Sequence, residues 1–338
     1  MLKKIKELFI PQQLLKGNCG IEREMLRVDK NGYLSFTDHP GIFGDKVLNP
    51  YITTDFSESQ VEIITPALDK IEETYSFSKA LYDIVALEIG DEILWPQSMP
   101  CFIPEDDEIP VAKYSEEGRE AEEYRNKLLK KYGGKKQLIS GIHYNYSFNE
   151  EIIRKLYESS DKELTYKEYK NSIYLKVARN YLRYRWIIVY LLGAAPVIHE
   201  SFLNGCSCKL KQISEDGYTL DGAVSHRNGE CGYRNKEELY PNYDTVEDYV
   251  ESINKYVNDG VIDSHKELYS QVRLKAKEPK NFLNSLLEDG ISYLEYRSID
   301  INPFEKGGIS LNDLYFLQLL NIYMLIKEES SYDKWQQE

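Results

Sequence analysis

The most constraining feature of the sequence is a pair of glutamates inside an otherwise apolar extended segment. Glu22 and Glu24 lie in the run Gly20-Ile-Glu-Arg-Glu-Met25, within residues 17–28, which read as a strand. Side chains on a strand alternate between its two faces, so the two carboxylates project together while Ile21 faces the other side. A sheet that contains this strand is therefore expected to bury one face and to keep the other polar.

The same spacing recurs further along the chain. Glu295 and Arg297 share one face of the run Tyr293-Leu-Glu-Tyr-Arg297, and Glu62 lies between two β-branched residues. Like charges on one strand face are destabilising unless a cation compensates them, and Mg²⁺ prefers oxygen ligands. The spacing alone leaves two interpretations open: a magnesium site, or a set of exposed strand faces.

His143 also permits two interpretations. It lies in Ser140-Gly-Ile-His-Tyr-Asn-Tyr-Ser147, between Ile142 and Tyr144. A lone histidine between apolar residues is typical of a hydrogen-bonded core position, and a metal ligand is the alternative. The residue pattern does not choose between them.

Strand patterns and long helical patterns follow one another without a regular alternation. Extended patterns predict strands at 17–28, 33–36, 59–65, 92–95, 137–148 and 290–298, with an Asn-Gly turn at 31–32. Helical spacing predicts helices at 2–9, 71–87, 166–192 and 311–327. We find no internal repeat or flexible linker, so we expect one domain over residues 1–338. The mixture predicts an α+β fold with a largely antiparallel sheet.

The charge balance excludes one class of partner. The chain has 42 basic and 56 acidic residues, with a formal net charge of −14. Proteins that hold nucleic acid neutralise its phosphates with Lys and Arg, so we expect no nucleic-acid partner. A small-molecule enzyme is the better expectation. The sequence has neither a GxxxxGK[ST] phosphate loop nor a GxSxG nucleophile elbow.

The sequence predicts a cytoplasmic protein without a membrane partner. Its longest apolar run, 187–198, is shorter than the roughly 20 residues that span a bilayer. The amphipathic start is followed by no small-residue cleavage site. The cysteines are odd in number and lack a paired CxxC pattern, so we expect them to be reduced: Cys19, Cys101, Cys206, Cys208 and Cys231.

Five blocks, in this order along the chain, resemble the signature blocks of bacterial glutamate-cysteine ligases. They are Gly20-Ile-Glu-Arg-Glu-Met-Leu-Arg27, Ile52-Thr-Thr-Asp-Phe-Ser-Glu58 with Glu62-Ile-Ile-Thr-Pro66, Leu94-Trp-Pro-Gln-Ser-Met-Pro100, Ser140-Gly-Ile-His-Tyr-Asn145 and Tyr293-Leu-Glu-Tyr-Arg-Ser-Ile-Asp-Ile-Asn-Pro-Phe304. The resemblance extends from Gly17 to Phe304. This family carries out the first step of glutathione synthesis, and it also forms the N-terminal part of bifunctional glutathione synthetases in some Gram-positive bacteria.

The resemblance implies a curved, largely antiparallel sheet of the glutamine-synthetase type with helices outside. ATP would phosphorylate the γ-carboxylate of glutamate, and the amine of cysteine would then displace phosphate. Positions matching family residues around the Mg²⁺ ions are Glu22, Glu24, Asp55, Glu58, Glu62, His143 and Glu295. Arg297 matches an arginine beside the transferred phosphate and Arg227 one that contacts the substrate; with Glu295 they are the implied catalytic residues. Phosphoryl transfer needs such charge stabilisation.

The resemblance also implies a pocket for the cysteine side chain. Matching positions are Phe56, Tyr124, Leu128, Gln137, Tyr233 and Tyr269. Arg125 and Arg273 lie beside these matches and are expected to bind carboxylates, because a guanidinium can clamp one bidentately. Each tyrosine could instead be ordinary packing, since the chain has 28 of them.

The chain departs from the family at its C-terminus. The resembling proteins continue far beyond Phe304, whereas this sequence ends at Glu338. It is expected to be a natural short form, a truncated form or a fragment, and its oligomeric state is left open. Two other functions stay open: a related ligase with another amine acceptor, and a non-catalytic protein that keeps the fold.

Overall fold

The strand that carries Glu22 and Glu24 lies inside the main sheet. The computed structural model describes residues 1–206, 209–330 and 335–336. The predicted strand is present as β1 (Gly17–Val28), and it pairs antiparallel with a neighbour on each side. The two carboxylates therefore project from the body of the sheet and not from an edge.

Ten strands are found among the described residues. In chain order they are β1 (Gly17–Val28), β2 (Ile52–Thr54), β3 (Gln60–Ile64), β4 (Ile93–Leu94), β5 (Ile142–Phe148), β6 (Ile198–His199), β7 (Lys211–Gln212), β8 (Gly217–Thr219), β9 (Val272–Lys275) and β10 (Tyr293–Ile299). The main sheet has the order β2-β3-β1-β5-β10-β9, all neighbours are antiparallel, and β4 pairs with the end of β1. A small second sheet has the order β6-β8-β7.

The helices cover one face and the ends of the main sheet. They are α1 (Leu2–Leu8), α2 (Pro11–Leu14), α3 (Ile71–Glu88), α4 (Arg119–Tyr132), α5 (Glu150–Glu158), α6 (Tyr166–Leu192), α7 (Val246–Asn258), α8 (Phe282–Asp289) and α9 (Leu311–Ile326). In the part of the chain that the structure describes, no helix is both long and apolar enough to cross a membrane.

The longest helix, α6, begins at a capping box. The hydroxyl of Thr165 accepts a hydrogen bond from the amide of Glu168, and the Glu168 carboxylate accepts one from the amide of Thr165. This reciprocal pair satisfies amide donors that a helix start leaves free. The cap fixes where α6 begins, and its buried side chains, including Tyr174 and Tyr181, then pack under the sheet.

The main sheet separates an apolar face from a polar face. Ile21, Tyr144 and Tyr296 point to the apolar face, where they are buried with side chains of α6 and α9. Glu22 and His143 occupy alternate positions on the same strands and point to the other side. Burial of this apolar face stabilises the fold by about 25 cal/mol per Å² of apolar surface. The polar face can therefore carry charges that contribute little to folding.

The predicted α+β class with a largely antiparallel sheet and outer helices is confirmed. The predicted helix at 166–192 coincides with α6. The strand predicted at 137–148 is wrong at its start, because Lys135–Leu138 is a 3-10 turn and β5 begins at Ile142. Pairing with β1 begins only there, opposite Arg23. The turn at Asn31 and Gly32 is present, with Gly32 at φ +83°, but the return segment pairs only through two isolated bridges, Leu34 with Val28 and Tyr33 with Phe102.

The expectation that all the cysteines are reduced is wrong for one pair. Cys206 and Cys231 form a disulfide, whereas Cys19 and Cys101 are buried free thiols. Cys208 lies outside the described residues. The disulfide links the segment after β6 to the loop that carries Arg227 and Tyr233.

We predict that Asn180→Ala lowers the free energy of unfolding by about 1–3 kcal/mol, the cost of leaving buried partners unsatisfied. Asn180 is fully buried, and its Nδ2 donates to the carbonyls of Met324 (2.8 Å) and Lys327 (3.0 Å), which fastens α6 to the end of α9. Urea denaturation measures the change. Asn284→Ala, on the exposed side of α8, is the control. Equal losses in both variants would contradict the prediction.

Candidate active site

Cross-strand pairing brings the predicted acidic residues together on the polar face. The register places side by side Glu22 and His143, Glu24 and Glu62, and Glu295 and Asn145. Residues directly opposite each other on antiparallel strands point to the same face. Four strands, β3, β1, β5 and β10, therefore contribute to one polar patch.

His143 lies between the carboxylates of this patch. Its Nδ1 is 3.1 Å from Oε2 of Glu22 and 4.0 Å from Oε1 of Glu295. Its Nε2 is 3.6 Å from Oε1 of Glu24 and, although buried, has no hydrogen-bond partner. Each ring nitrogen thus faces a different carboxylate group. The position is buried, as the core interpretation predicts, but its neighbours are acidic.

The patch has the donors that a divalent cation requires. Glu22, His143 and Glu295 each offer a ligand atom, and these atoms lie within 4.8 Å of one another. Glu24, Glu62 and His143 form a second such group. Carboxylate oxygens suit Mg²⁺ or Mn²⁺, and the imidazole adds one nitrogen donor to this mainly oxygen set. The orphaned Nε2 of His143 and the unpaired carboxylate of Glu62 are both observations that fit a bound cation.

The carboxylates fall into two electrostatic classes. Burial opposes ionisation of Glu295, but Lys275 and Arg297 hold its pKa well below the usual range. Burial also opposes ionisation of Glu22, whose pKa is nevertheless lowered, chiefly by the hydrogen bond to His143. The pKa of Glu62 is raised well above 4.5, first by burial and then by Asp55 and the neighbouring glutamates. Arg125 opposes this rise only in part, and Glu62 forms no ion pair with any residue that the structure describes.

A cavity of about 380 Å³ opens over this patch. The cavity is lined by the two candidate metal-binding groups that share His143, and also by Asp55, Arg227 and Arg297. Nη1 of Arg297 lies 3.4 Å from Oε2 of Glu295. Arg227 packs against Gly141, where any side chain would collide with the guanidinium. Both predicted catalytic arginines thus lie beside the acidic patch.

One arm of this cavity is apolar and aromatic. Every residue predicted for the acceptor pocket lines it: Phe56, Tyr124, Leu128, Gln137, Tyr233 and Tyr269. The hydroxyl of Tyr233 donates to Oε1 of Gln137 at 3.1 Å, and the Tyr233 and Tyr269 rings lie 4.2 Å apart between centroids. Burial raises the pKa of Tyr124 to about 12, so this hydroxyl stays neutral. The arm suits a small, uncharged side chain.

The two arginines predicted to bind carboxylates line the cavity but already have partners. Arg125 donates to the carbonyls of Asp55 and Ala121, and its guanidinium lies 4.8 Å from the centre of the Tyr114 ring. Arg273 donates to the carbonyl of Leu268. Both guanidinium groups fix loops around the arm. They keep a positive charge at its wall.

Glu58 is not brought to the acidic patch. Its buried carboxylate forms an ion pair with Lys46 and accepts hydrogen bonds from the amides of Lys113 (2.6 Å) and His39 (2.8 Å). These contacts take the lone pairs that a metal would need. The prediction of Glu58 as a metal ligand therefore finds no support in the structure.

Two lysines at or beside the site were missed from the sequence. Lys266 lines the aromatic arm, and Lys275 of β9 forms an ion pair with Glu295, with its Nζ 3.3 Å from Oε1. The alternation of Val272-Arg-Leu-Lys275 is a strand signal that could have placed Lys275 on the same face as Arg273.

A buried carboxylate joins the loops around the aromatic arm. Glu267 is fully buried; it forms an ion pair with Lys131 (2.6 Å) and accepts hydrogen bonds from the hydroxyl of Tyr132 and the amide of Asp263. The side chain of Asn235 donates to the carbonyl of Glu267. These contacts hold α4 against the loops that carry Tyr233 and Tyr269.

A second cavity of about 230 Å³ adjoins the first. Four arginines line it, and none of its lining residues is acidic: Arg185, Arg227, Arg234 and Arg297. Gln271 also lines it, and its buried Oε1 has no hydrogen-bond partner. In a chain of net charge −14, this is a local positive site.

A family model described as glutamate-cysteine ligase matches residues 2–338. The chain is 36% identical to a glutamate–cysteine ligase of Clostridium acetobutylicum, over all of this chain and 78% of that protein. It is 46% identical to a bifunctional glutathione biosynthesis protein of Clostridium perfringens, over 97% of this chain but only 42% of the relative. The chain thus spans less than half the length of that bifunctional relative.

A solved structure has the same fold. The glutamate–cysteine ligase of Francisella tularensis, crystallised in complex with AMP, superposes with a TM-score of 0.85 and 29% identity, over 95% of this chain and 70% of that chain.

We predict that Glu62→Gln raises the thermal midpoint of the metal-free protein at neutral pH by a few degrees. A carboxyl whose folded-state pKa is raised stabilises the fold below its unfolded pKa of 4.5 and loses that contribution as the pH rises. The rise in thermal midpoint caused by Glu62→Gln should therefore vanish below the unfolded pKa of the carboxyl and increase as the pH rises above it. Scans with a chelator, from acidic to neutral pH, measure it.

Glu251→Gln, an exposed position on α7, is the matched control and should change little. A lower midpoint for Glu62→Gln at neutral pH would contradict the assigned electrostatics.

Proposed function

The chain belongs to the glutamate-cysteine ligase family, and from this premise we propose that it joins glutamate to cysteine in an ATP-dependent reaction. The main support for this proposal is that one cavity brings together five candidate metal ligands and Arg297. The candidate ligands are Glu22, Glu24, Glu62, His143 and Glu295. Such a site can bind a cation together with phosphate. The AMP held by the relative from Francisella tularensis supports a nucleotide substrate.

We propose that Mg²⁺ is held by the two groups that share His143, with Asp55 as a further carboxylate at the cavity wall. When bound, Mg²⁺ neutralises charge on the phosphate oxygens. Arg297 lies at the rim of the patch, where its guanidinium can stabilise the charge of the transferred phosphoryl group. This residue is fixed in place by Glu295, so little reorganisation is needed during reaction.

The reaction then has two steps. An oxygen of the γ-carboxylate attacks the γ-phosphorus of ATP, and ADP leaves. The acceptor amine attacks the resulting acyl carbon, phosphate leaves, and the amine loses a proton. The residues of the chain bind and orient the reactants, which is the main protein contribution to phosphoryl transfer.

The second cavity suits the amino-acid end of the donor. Arg185 and Arg227 offer guanidinium groups for an α-carboxylate, and the unpartnered Oε1 of Gln271 offers an acceptor for an ammonium group. Because Arg227 and Arg297 line both cavities, a dicarboxylate can reach from one to the other. Glutamate fits this description.

The aromatic arm suits the side chain of cysteine. Phe56, Leu128 and Tyr233 offer a small apolar surface beside the polar patch. A pocket of this kind separates side chains that differ by one small group by about 1–3 kcal/mol. Cysteine is therefore expected to be preferred over serine or alanine by a modest factor. We place this reaction in the cytoplasm, where ATP is available.

Phosphate release from ATP, with Mg²⁺ and glutamate and a panel of amino-acid acceptors, tests the proposal. We expect release that depends on cysteine, with γ-glutamylcysteine detected by mass spectrometry. Release with only another amine would instead support a related ligase. Folded protein that turns over no acceptor would contradict an enzymatic function.

We predict that Glu295→Gln lowers kcat by about 10²-fold or more, because it removes a charge on which Arg297, His143 and the proposed cation converge. The amide keeps the shape of the side chain, so the circular dichroism spectrum should be unchanged. The exposed variant Glu251→Gln serves as the control in the same assay. Near-normal turnover by Glu295→Gln would refute the assigned role.

A further inference from the structure

Lys275 approaches the acidic patch from the side opposite to Arg297. In the β9–β10 register it lies across from Tyr293, two residues before Glu295, whereas Arg297 lies two residues after it. Its Nζ is 3.3 Å from Oε1 of Glu295, and Arg297 pairs with Oε2 of the same carboxylate. Two cations thus hold one buried carboxylate from opposite sides.

The oxygen that Lys275 contacts is one that a metal would use. Oε1 of Glu295 is the oxygen that lies 4.0 Å from Nδ1 of His143, inside the group formed with Glu22. An ammonium ion this close to the oxygen and a divalent cation bound to the same oxygen repel each other, so either one weakens the binding of the other. Within the described residues, Lys275 is the one lysine that forms an ion pair with the patch.

The head group of Lys275 is held by fewer hydrogen bonds than that of its neighbour Arg273. Arg273 is fixed by hydrogen bonds to the carbonyls of Leu268 and Lys266. Among the residues that the structure describes, Lys275 has a single partner, Glu295, and a quarter of its side chain is exposed. Lysine is also a strongly hydrated point charge on a flexible stem and a common binder of phosphate.

The flank of Glu295 that Lys275 occupies lies outside both cavities. The cavity over the acidic patch, of which the aromatic arm is one part, and the arginine cavity both include Arg297 among their lining residues, so the proposed amino-acid substrates bind beside Arg297. Lys275 lines neither cavity and lies on the other flank of the same carboxylate. A phosphate that reaches a cation at Glu295 from this flank meets Lys275 first.

We propose that Lys275 is a positioning residue that exchanges partners. It is the counter-ion of Glu295 while no divalent cation is bound, and it moves to the phosphates of ATP when a cation takes its place. The proposal rests on the proposed function, because it requires a nucleotide. In the absence of a divalent cation, Lys275 thus balances the negative charge of the acidic patch. When nucleotide binds, the same side chain becomes part of the nucleotide site.

Cation binding without nucleotide tests the first half. In Lys275→Met the competitor for Oε1 is gone, so the Kd for Mn²⁺, measured by calorimetry on the nucleotide-free protein, should fall about tenfold. Lys277→Met is the matched control, because Lys277 is an exposed neighbour on the same chain segment and forms no ion pair with any described residue. An unchanged or higher Kd for Mn²⁺ in Lys275→Met would overturn the counter-ion role.

Nucleotide binding tests the second half. With saturating Mg²⁺ and a non-hydrolysable ATP analogue, Lys275→Met should bind about tenfold more weakly, the loss of one charge-assisted hydrogen bond. Lys275→Arg should retain most of the affinity. If the lysine had only a structural role, Lys275→Met would bind both Mn²⁺ and the ATP analogue more weakly. If the lysine exchanges partners, the substitution strengthens Mn²⁺ binding and weakens binding of the analogue. Equal analogue binding by Lys275→Met and the unaltered chain would overturn the phosphate contact.

Failure of the proposed function gives a different result. In that case the unaltered chain and Lys277→Met would both fail to bind the ATP analogue. The proposed contact between Lys275 and phosphate would then be refuted together with the proposed function. The Mn²⁺ titration would still decide whether Lys275 is the counter-ion of Glu295.

Discussion

The candidate site depends on holding like charges close together on one face of a sheet, at a cost that the rest of the fold must offset. Glu22, Glu24 and Glu295 repel one another, and burial raises the cost of their charge. The opposite face of the same strands offsets this cost, because Tyr144 and Tyr296 are buried there against the helices. One period-two pattern therefore provides both the hydrophobic core and the candidate site.

The negative and positive side chains of the candidate site occupy separate zones of the structure. Carboxylates occupy the middle of the sheet, and cationic side chains flank them at the β9–β10 edge and in the adjoining arginine cavity. Glu295 lies where the two zones meet, between Lys275 and Arg297. A site of this kind can bind a cation and an anionic substrate next to each other, which is what transfer of a phosphoryl group to a carboxylate requires.

Periodicity in the sequence predicts the parts of the fold that local rules determine. β1 and α6 have their predicted bounds, because alternation and a capping box specify them locally. Strand pairing is not a local property, so neither the place of β9 beside β10 nor the contact of Lys275 with Glu295 was visible. Glu58 shows the reverse case. Its motif matched a metal ligand, but tertiary contacts gave its carboxylate to Lys46 and two amides.

The central claim is that the polar face of the sheet is a divalent-cation site. Anomalous diffraction from crystals grown with Mn²⁺ and a non-hydrolysable ATP analogue tests it most directly. We predict manganese peaks at about 2 Å from the carboxylates of Glu22, Glu24, Glu62 or Glu295 and the ring of His143. Bound nucleotide with no manganese among these residues, or with manganese only elsewhere, would contradict the claim.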